Sequence, residues 1–111
     1  MDGQVINLDS IKIKLSVSDT AILAAKIDMV LNQETSNRSM ELMVSVLYST
    51  RERFLLKVAE NRNQKQKMLK ITLSYFEQIA LKYLIESIEW INFDSYTMTL
   101  FVDLQEKLYN S

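Results

Sequence analysis

Residues 11–17 read Ile-Lys-Ile-Lys-Leu-Ser-Val, an alternation of apolar and polar side chains with a period of two. This alternation is typical of a β-strand that buries one face and exposes the other. A single strand leaves its backbone N–H and C=O groups unpaired, so it needs a partner strand from this chain or from a second copy. The identity of that partner therefore decides the fold. The strand is expected to bury Ile11, Ile13, Leu15 and Val17 and to expose Lys12 and Lys14.

Two helical segments are predicted after this strand. The first begins at Ser18 or Asp19, either of which can cap a helix, and runs to about Asn32. Residues 33–38 have the composition of a loop. Residues 40–48 fit a strand by their period of two, but they also fit a helix that runs on to about Asn61, and we favour the helix. Residues 49–52 could instead be a capping box that opens a separate helix.

A capping box gives the clearest helix start in the chain. Residues 74–77 read Ser-Tyr-Phe-Glu, in which the serine and the glutamate can each bond the other's backbone N–H. We expect this helix to run to about Ser87. The polar residues 60–67 before it are predicted to form a solvated connector or a frayed helix end.

The C-terminal stretch has the composition of a β-hairpin. Residues 88–93 and residues 96–102 are rich in aromatic and β-branched side chains, and the turn residues 92–95 lie between them. We expect residues 96–102 to pair with residues 11–17, and a short last helix to run from Asp103 to about Tyr109. The predicted fold is α+β: a helix-rich single domain over residues 1–111, with an N-terminal strand, two or three helices and a C-terminal β-hairpin.

The composition argues against most kinds of catalysis. The chain has no histidine and no cysteine, and its only glycine is Gly3, so the commonest general base, thiol nucleophiles and phosphate-binding glycine loops are all missing. We therefore expect no catalytic, cofactor-binding or metal-binding residues. A carboxylate-dependent enzyme with Glu86, Glu89 and Asp94 as magnesium ligands is the least favoured alternative. No secretory signal and no apolar run of membrane-spanning length is visible, which predicts a cytoplasmic protein.

The charges are segregated along the chain although the net charge is −1. Residues 51–70 carry seven basic and two acidic side chains, whereas residues 71–111 carry two basic and six acidic ones. Such a basic segment can contact an acidic partner, or it can neutralise the rest of the molecule as a solvated connector. The basic segment consists of Arg51, Arg53, Lys57, Arg62, Lys65, Lys67 and Lys70.

Residues 11–48 resemble the ribbon-helix-helix family of DNA-binding regulators. The resemblance covers the strand at residues 12–17, the helix after it, and residues 37–39, which read Asn-Arg-Ser and would open a second helix. It implies a homodimer whose paired strands enter the major groove of DNA. By position, Lys12, Lys14 and Ser16 would contact bases, and Arg38 with Ser39 would hold a phosphate.

Two functions follow as hypotheses. The first is a non-enzymatic interaction or regulatory protein, such as an inhibitor, immunity protein, adaptor or chaperone, that binds another protein through shape and charge. The second is a dimeric DNA-binding regulator that uses residues 11–48. The oligomeric state and salt-dependent binding of DNA would separate them.

Overall fold

A computed structural model of the protein describes residues 10–33 and 41–110. Within these ranges the chain forms two strands and four helices. In chain order they are β1 (Ile11–Ser16), α1 (Val17–Gln33), α2 (Glu41–Glu60), β2 (Met68–Leu73), α3 (Tyr75–Ser87) and α4 (Ser95–Tyr109).

The two strands pair with each other in an antiparallel sheet. The register runs from Ile11 opposite Leu73 to Ser16 opposite Met68. The prediction that β1 pairs with residues 96–102 is therefore wrong, since its partner within the chain is β2. Residues 68–73 read Met-Leu-Lys-Ile-Thr-Leu, which alternates as β1 does. One face of the sheet buries Ile13, Leu15, Leu69, Ile71 and Leu73, while Ile11, which was predicted to be buried, is half-buried.

Helix α1 begins directly after β1. The Ser16 hydroxyl accepts a hydrogen bond from the Asp19 N–H at 3.0 Å, and the Thr20 hydroxyl donates to the Ser16 carbonyl at 2.9 Å. Ser16 therefore caps the first turn of α1, two or three residues before the predicted cap at Ser18 or Asp19. Residue 17 accordingly opens a helix instead of ending a strand, although it remains buried as predicted.

Helix α2 is continuous over Glu41–Glu60, which confirms the helical interpretation of residues 41–48. A separate helix does not begin at Ser49. The hydroxyls of Ser49 and Thr50 both donate to the Val46 carbonyl, at 3.2 and 2.8 Å, inside the same helix. Residues 61–67 then lead to β2 without helix or strand, while Glu60, the first residue of the predicted connector, still belongs to α2.

Helix α3 begins at the predicted capping box. The Glu77 N–H donates to the Ser74 hydroxyl at 3.2 Å, and the Ser74 N–H donates to the Glu77 carboxylate at 2.9 Å. The helix ends at Ser87, where the Ile88 N–H bonds back to the Leu84 carbonyl. Both predicted limits are confirmed.

The prediction of a C-terminal β-hairpin is wrong, because residues 95–109 form helix α4. The Asp94 carboxylate caps it by accepting from the Thr97 N–H at 2.8 Å, and this bond holds the pKa of Asp94 below its ordinary value. The buried side chains of α4 recur at helical spacing and face α3 and the rest of the core. They are Thr97, Leu100, Phe101, Leu104 and Leu108.

The core lies between the apolar face of the sheet and the helices. Phe54 of α2 and Phe101 of α4 are among its largest fully buried side chains. The Trp90 and Phe93 rings stack on each other, and each meets the Phe101 ring edge to face, with centroids 5.7 and 4.9 Å away. This aromatic cluster closes the segment between α3 and α4. Among the described residues, no element covers the opposite face of the sheet, where Lys12, Lys14 and Lys70 are exposed.

Candidate interaction surface

The outward face of the sheet carries three lysines. Lys12 and Lys14 project from β1 and Lys70 projects from β2, and all three are exposed. Lys14 lies directly opposite Lys70 in the register. We call Lys12, Lys14 and Lys70 the lysine face. It joins two residues of the predicted DNA-reading set to one residue of the predicted basic segment.

Hydrogen bonds at the strand edges show which class of antiparallel pair Lys14 and Lys70 form. The Lys14 carbonyl accepts from the Lys107 ammonium at 3.5 Å, and the Thr72 carbonyl accepts from Arg53 at 2.9 Å. Both carbonyls therefore point away from the partner strand. Lys14 and Thr72 therefore belong to non-hydrogen-bonded pairs, and the register makes Lys14–Lys70 one of these pairs. In such a pair the opposite Cα atoms are about 4.5 Å apart and the side chains are closest. Like charges in that arrangement repel and destabilise the sheet.

In the described part of the chain, no carboxylate forms an ion pair with the lysine face. Among the described residues the ion pairs are formed by Arg51 and Arg53, and none includes a lysine of this face. One carboxylate, that of Glu106, lies beside Lys12 in a shallow hollow at the edge of β1, and it is accompanied there by the cation of Lys107. Among the described residues, the charge around the lysine face is therefore positive on balance.

Two of the three arginines of the basic segment, Arg51 and Arg53, form ion pairs within the fold. Arg51 of α2 bonds Asp28 of α1 and lies over the Tyr48 ring, 4.4 Å from its centroid. Arg53 donates to both oxygens of Glu77 at 2.8 Å. These arginines join α2 to α1 and to α3; the Arg51 side chain is 16% exposed and the Arg53 side chain 34%.

The other members of the basic segment are spread over three places. Lys57 is half-buried on α2, and Lys67 bonds the Asn61 side chain at 3.0 Å. Arg62 and Lys65 are exposed on the connector, where they line a groove against α1. Only Lys70 joins the lysine face. The segment that is continuous in sequence is therefore not one surface in the described part of the fold.

The residues of the DNA-reading set have different environments. Lys12 and Lys14 point outward, as that function requires. Ser16 is 6% exposed and its hydroxyl bonds the first turn of α1. Arg38 and Ser39 lie outside the described residues. Sequence reasoning did not find the Lys14–Lys70 pair, although the alternation of residues 68–73 could have indicated the second strand.

Carboxylates do not assemble into a metal site in the described ranges, where no three acidic side chains are grouped to hold an ion. Glu86, Glu89 and Asp94 are therefore not brought together as magnesium ligands. Glu86 instead accepts a hydrogen bond from the Tyr109 hydroxyl, which raises the pKa of that tyrosine. None of the helices in residues 10–33 and 41–110 has the length and apolar character to cross a membrane.

Comparison with protein-family models, with curated proteins and with solved structures finds no match for this chain.

Proposed function

We propose that this protein is a non-enzymatic interaction protein that binds an acidic protein partner through the lysine face. The observation that carries the proposal is the Lys14–Lys70 pair. Two cations opposite each other cost stability in the free protein, and a partner carboxylate placed between them would turn that repulsion into attraction.

The surroundings of the lysine face favour a protein over a nucleic acid. Met68 of β2 lies on the same outward face and is 57% exposed, so an apolar contact is offered beside the cations. The chain as a whole has a net charge of −1, which opposes the long-range attraction to phosphates on which DNA binding depends. Proteins with acidic and apolar side chains on one surface match this face better.

DNA binding is the second candidate function. The observation that favours it is the shape of the sheet: a two-stranded antiparallel ribbon is one of the elements that the major groove of DNA admits. Lys12 and Lys14 would then contact base edges, as the ribbon-helix-helix resemblance implies. The ribbon would come from β1 and β2 of one chain or from β1 of two copies.

Fluorescence anisotropy with two labelled probes tests the proposal. The probes are a poly-glutamate peptide and a mixed-sequence DNA duplex, each titrated with the wild type and with the double variant Lys14→Glu, Lys70→Glu. We expect the wild type to bind the peptide at low salt and the double variant to bind it at least about tenfold more weakly, since two attractions become repulsions. Lys26→Glu with Lys82→Glu makes the same change of charge elsewhere and should leave binding unaltered.

Other outcomes contradict the proposal. Equal losses in the two double variants would mean that only net charge matters. Tight binding of the duplex, with sequence discrimination that Lys14→Ala removes, would favour the regulator instead. If the wild type binds neither probe, the lysine face is a plain solvated surface.

A further inference from the structure

A groove of about 470 Å³ lies between the first half of α1 and the end of α2. Val17, Ala21 and Ala25 of α1 and Val58 of α2 form its floor, and the lining is mostly apolar. Ala21 and Ala25 are one helical turn apart, so they lie on the same face of α1. Their small side chains leave the space that a larger apolar group would fill, and the volume is within the range of ordinary binding sites.

Two cations stand at this groove. Arg62 and Lys65 of the connector line it, both are exposed, and neither forms an ion pair within the described residues. The connector is held in place because the Ser18 N–H donates to the Lys65 carbonyl at 3.1 Å and the Val17 N–H donates to the Lys67 carbonyl at 2.9 Å. These bonds keep the backbone of Lys65 next to the start of α1.

We infer that this groove binds an acidic amphipathic helix of the partner protein. The inference rests on the proposed function and names the chemistry of the partner. An apolar floor accepts leucine-type side chains, and the two cations at its rim accept the carboxylates that flank them on such a helix. This charge complementarity selects an acidic segment and rejects a basic one. The groove opens to solvent between two helices, which is the setting in which amphipathic helices dock.

The test uses a labelled 14-residue helical peptide with leucine at every third or fourth position and glutamate between them. Two matched peptides replace the leucines by serine or the glutamates by lysine. We expect the wild-type protein to bind the first peptide and neither of the others. Loss of even one buried leucine contact lowers affinity about tenfold.

Two protein variants locate the peptide. Ala25→Trp fills the groove from an exposed position of α1 and should weaken binding about tenfold or more, whereas Gln105→Trp on an exposed position of α4 should not. Arg62→Glu with Lys65→Glu should weaken binding at low salt without touching the core. Its charge control is Lys82→Glu with Lys107→Glu, on α3 and α4, neither of which lines the groove. Circular dichroism confirms that each variant is folded.

Several results would overturn the inference. If the serine peptide binds as tightly as the leucine peptide, the contact is charge alone. If Lys14→Glu with Lys70→Glu weakens peptide binding and the groove variants do not, the peptide binds to the lysine face. That result overturns the groove as the binding site and upholds the proposed function. If the groove variants weaken peptide binding and the lysine-face variant does not, the groove is upheld and the proposed function of the lysine face is overturned. Self-association that Ala25→Trp abolishes would assign the groove to a second copy, and absence of peptide binding would reject it.

Discussion

At the scale of single residues, Glu77 bonds both its own helix start and a neighbouring helix. Its carboxylate accepts from the Ser74 N–H and from Arg53, and the Thr50 hydroxyl lies 3.4 Å away. One side chain thus caps α3 and joins it to α2. Hydrogen bonds to a charged carboxylate are stronger than the same bonds to a neutral acceptor.

Replacing Ser74 with Ala should lower the free energy of unfolding by about 1 kcal/mol, because the Glu77 N–H loses its acceptor at the helix start. Urea denaturation monitored by circular dichroism measures the change. Ser74→Asp keeps an acceptor oxygen and should cost much less. Equal stabilities of the alanine and aspartate variants would contradict a capping role for the hydroxyl.

At the scale of elements, α4 shows how a pattern can fit two structures. Residues 96–102 contain aromatic and threonine side chains that favour strands, and their apolar positions fit a period of two. Their buried members, however, continue at helical spacing into Leu104 and Leu108, and Asp94 caps the first turn. The longer helical stripe buries more apolar surface against α3 than a seven-residue strand would, so tertiary packing overrides local propensity.

Val102→Pro tests the helix directly. Val102 is exposed in the middle of α4, where a proline removes a backbone hydrogen bond and clashes with the preceding turn. We expect a loss of about 3 kcal/mol in the free energy of unfolding. Val102→Ala should be neutral or slightly stabilising because alanine has the higher helix propensity. A proline variant as stable as the alanine variant would contradict a helix at this position.

At the scale of the whole molecule, the fold separates cations used for structure from cations shown to solvent. Arg51 and Arg53 are bonded to carboxylates of other helices, whereas the lysine face collects like charges from two distant parts of the chain. This arrangement of like charges opposes stability, and under the proposed function it would favour binding of an acidic partner. Stability and binding should therefore respond in opposite directions to one substitution.

Lys70→Glu is that substitution. It places opposite charges across the sheet at the Lys14 position, so the free energy of unfolding should rise by some tenths of a kcal/mol, up to about 1 kcal/mol. The same variant should bind poly-glutamate more weakly. Thermal or urea unfolding at low and high salt measures the gain, which salt should reduce. The double variant Lys14→Glu, Lys70→Glu restores like charges and should lose the gain; if it does not, the two side chains do not interact.

Local patterns in the sequence were enough to predict β1 and the capping box at Ser74. They favoured a helix for residues 40–48 without excluding a strand, and the structure decides for the helix over residues 41–60. In each case neighbouring residues supply the signal: alternation, a reciprocal cap, or an apolar stripe. The partner of β1, the helical form of residues 95–109 and the Lys14–Lys70 pair needed the tertiary structure. Strand pairing joins residues far apart in the chain, and no local pattern specifies which alternating segment will be chosen. The burial of α4 against α3 then decides between two periods that its first residues satisfy equally.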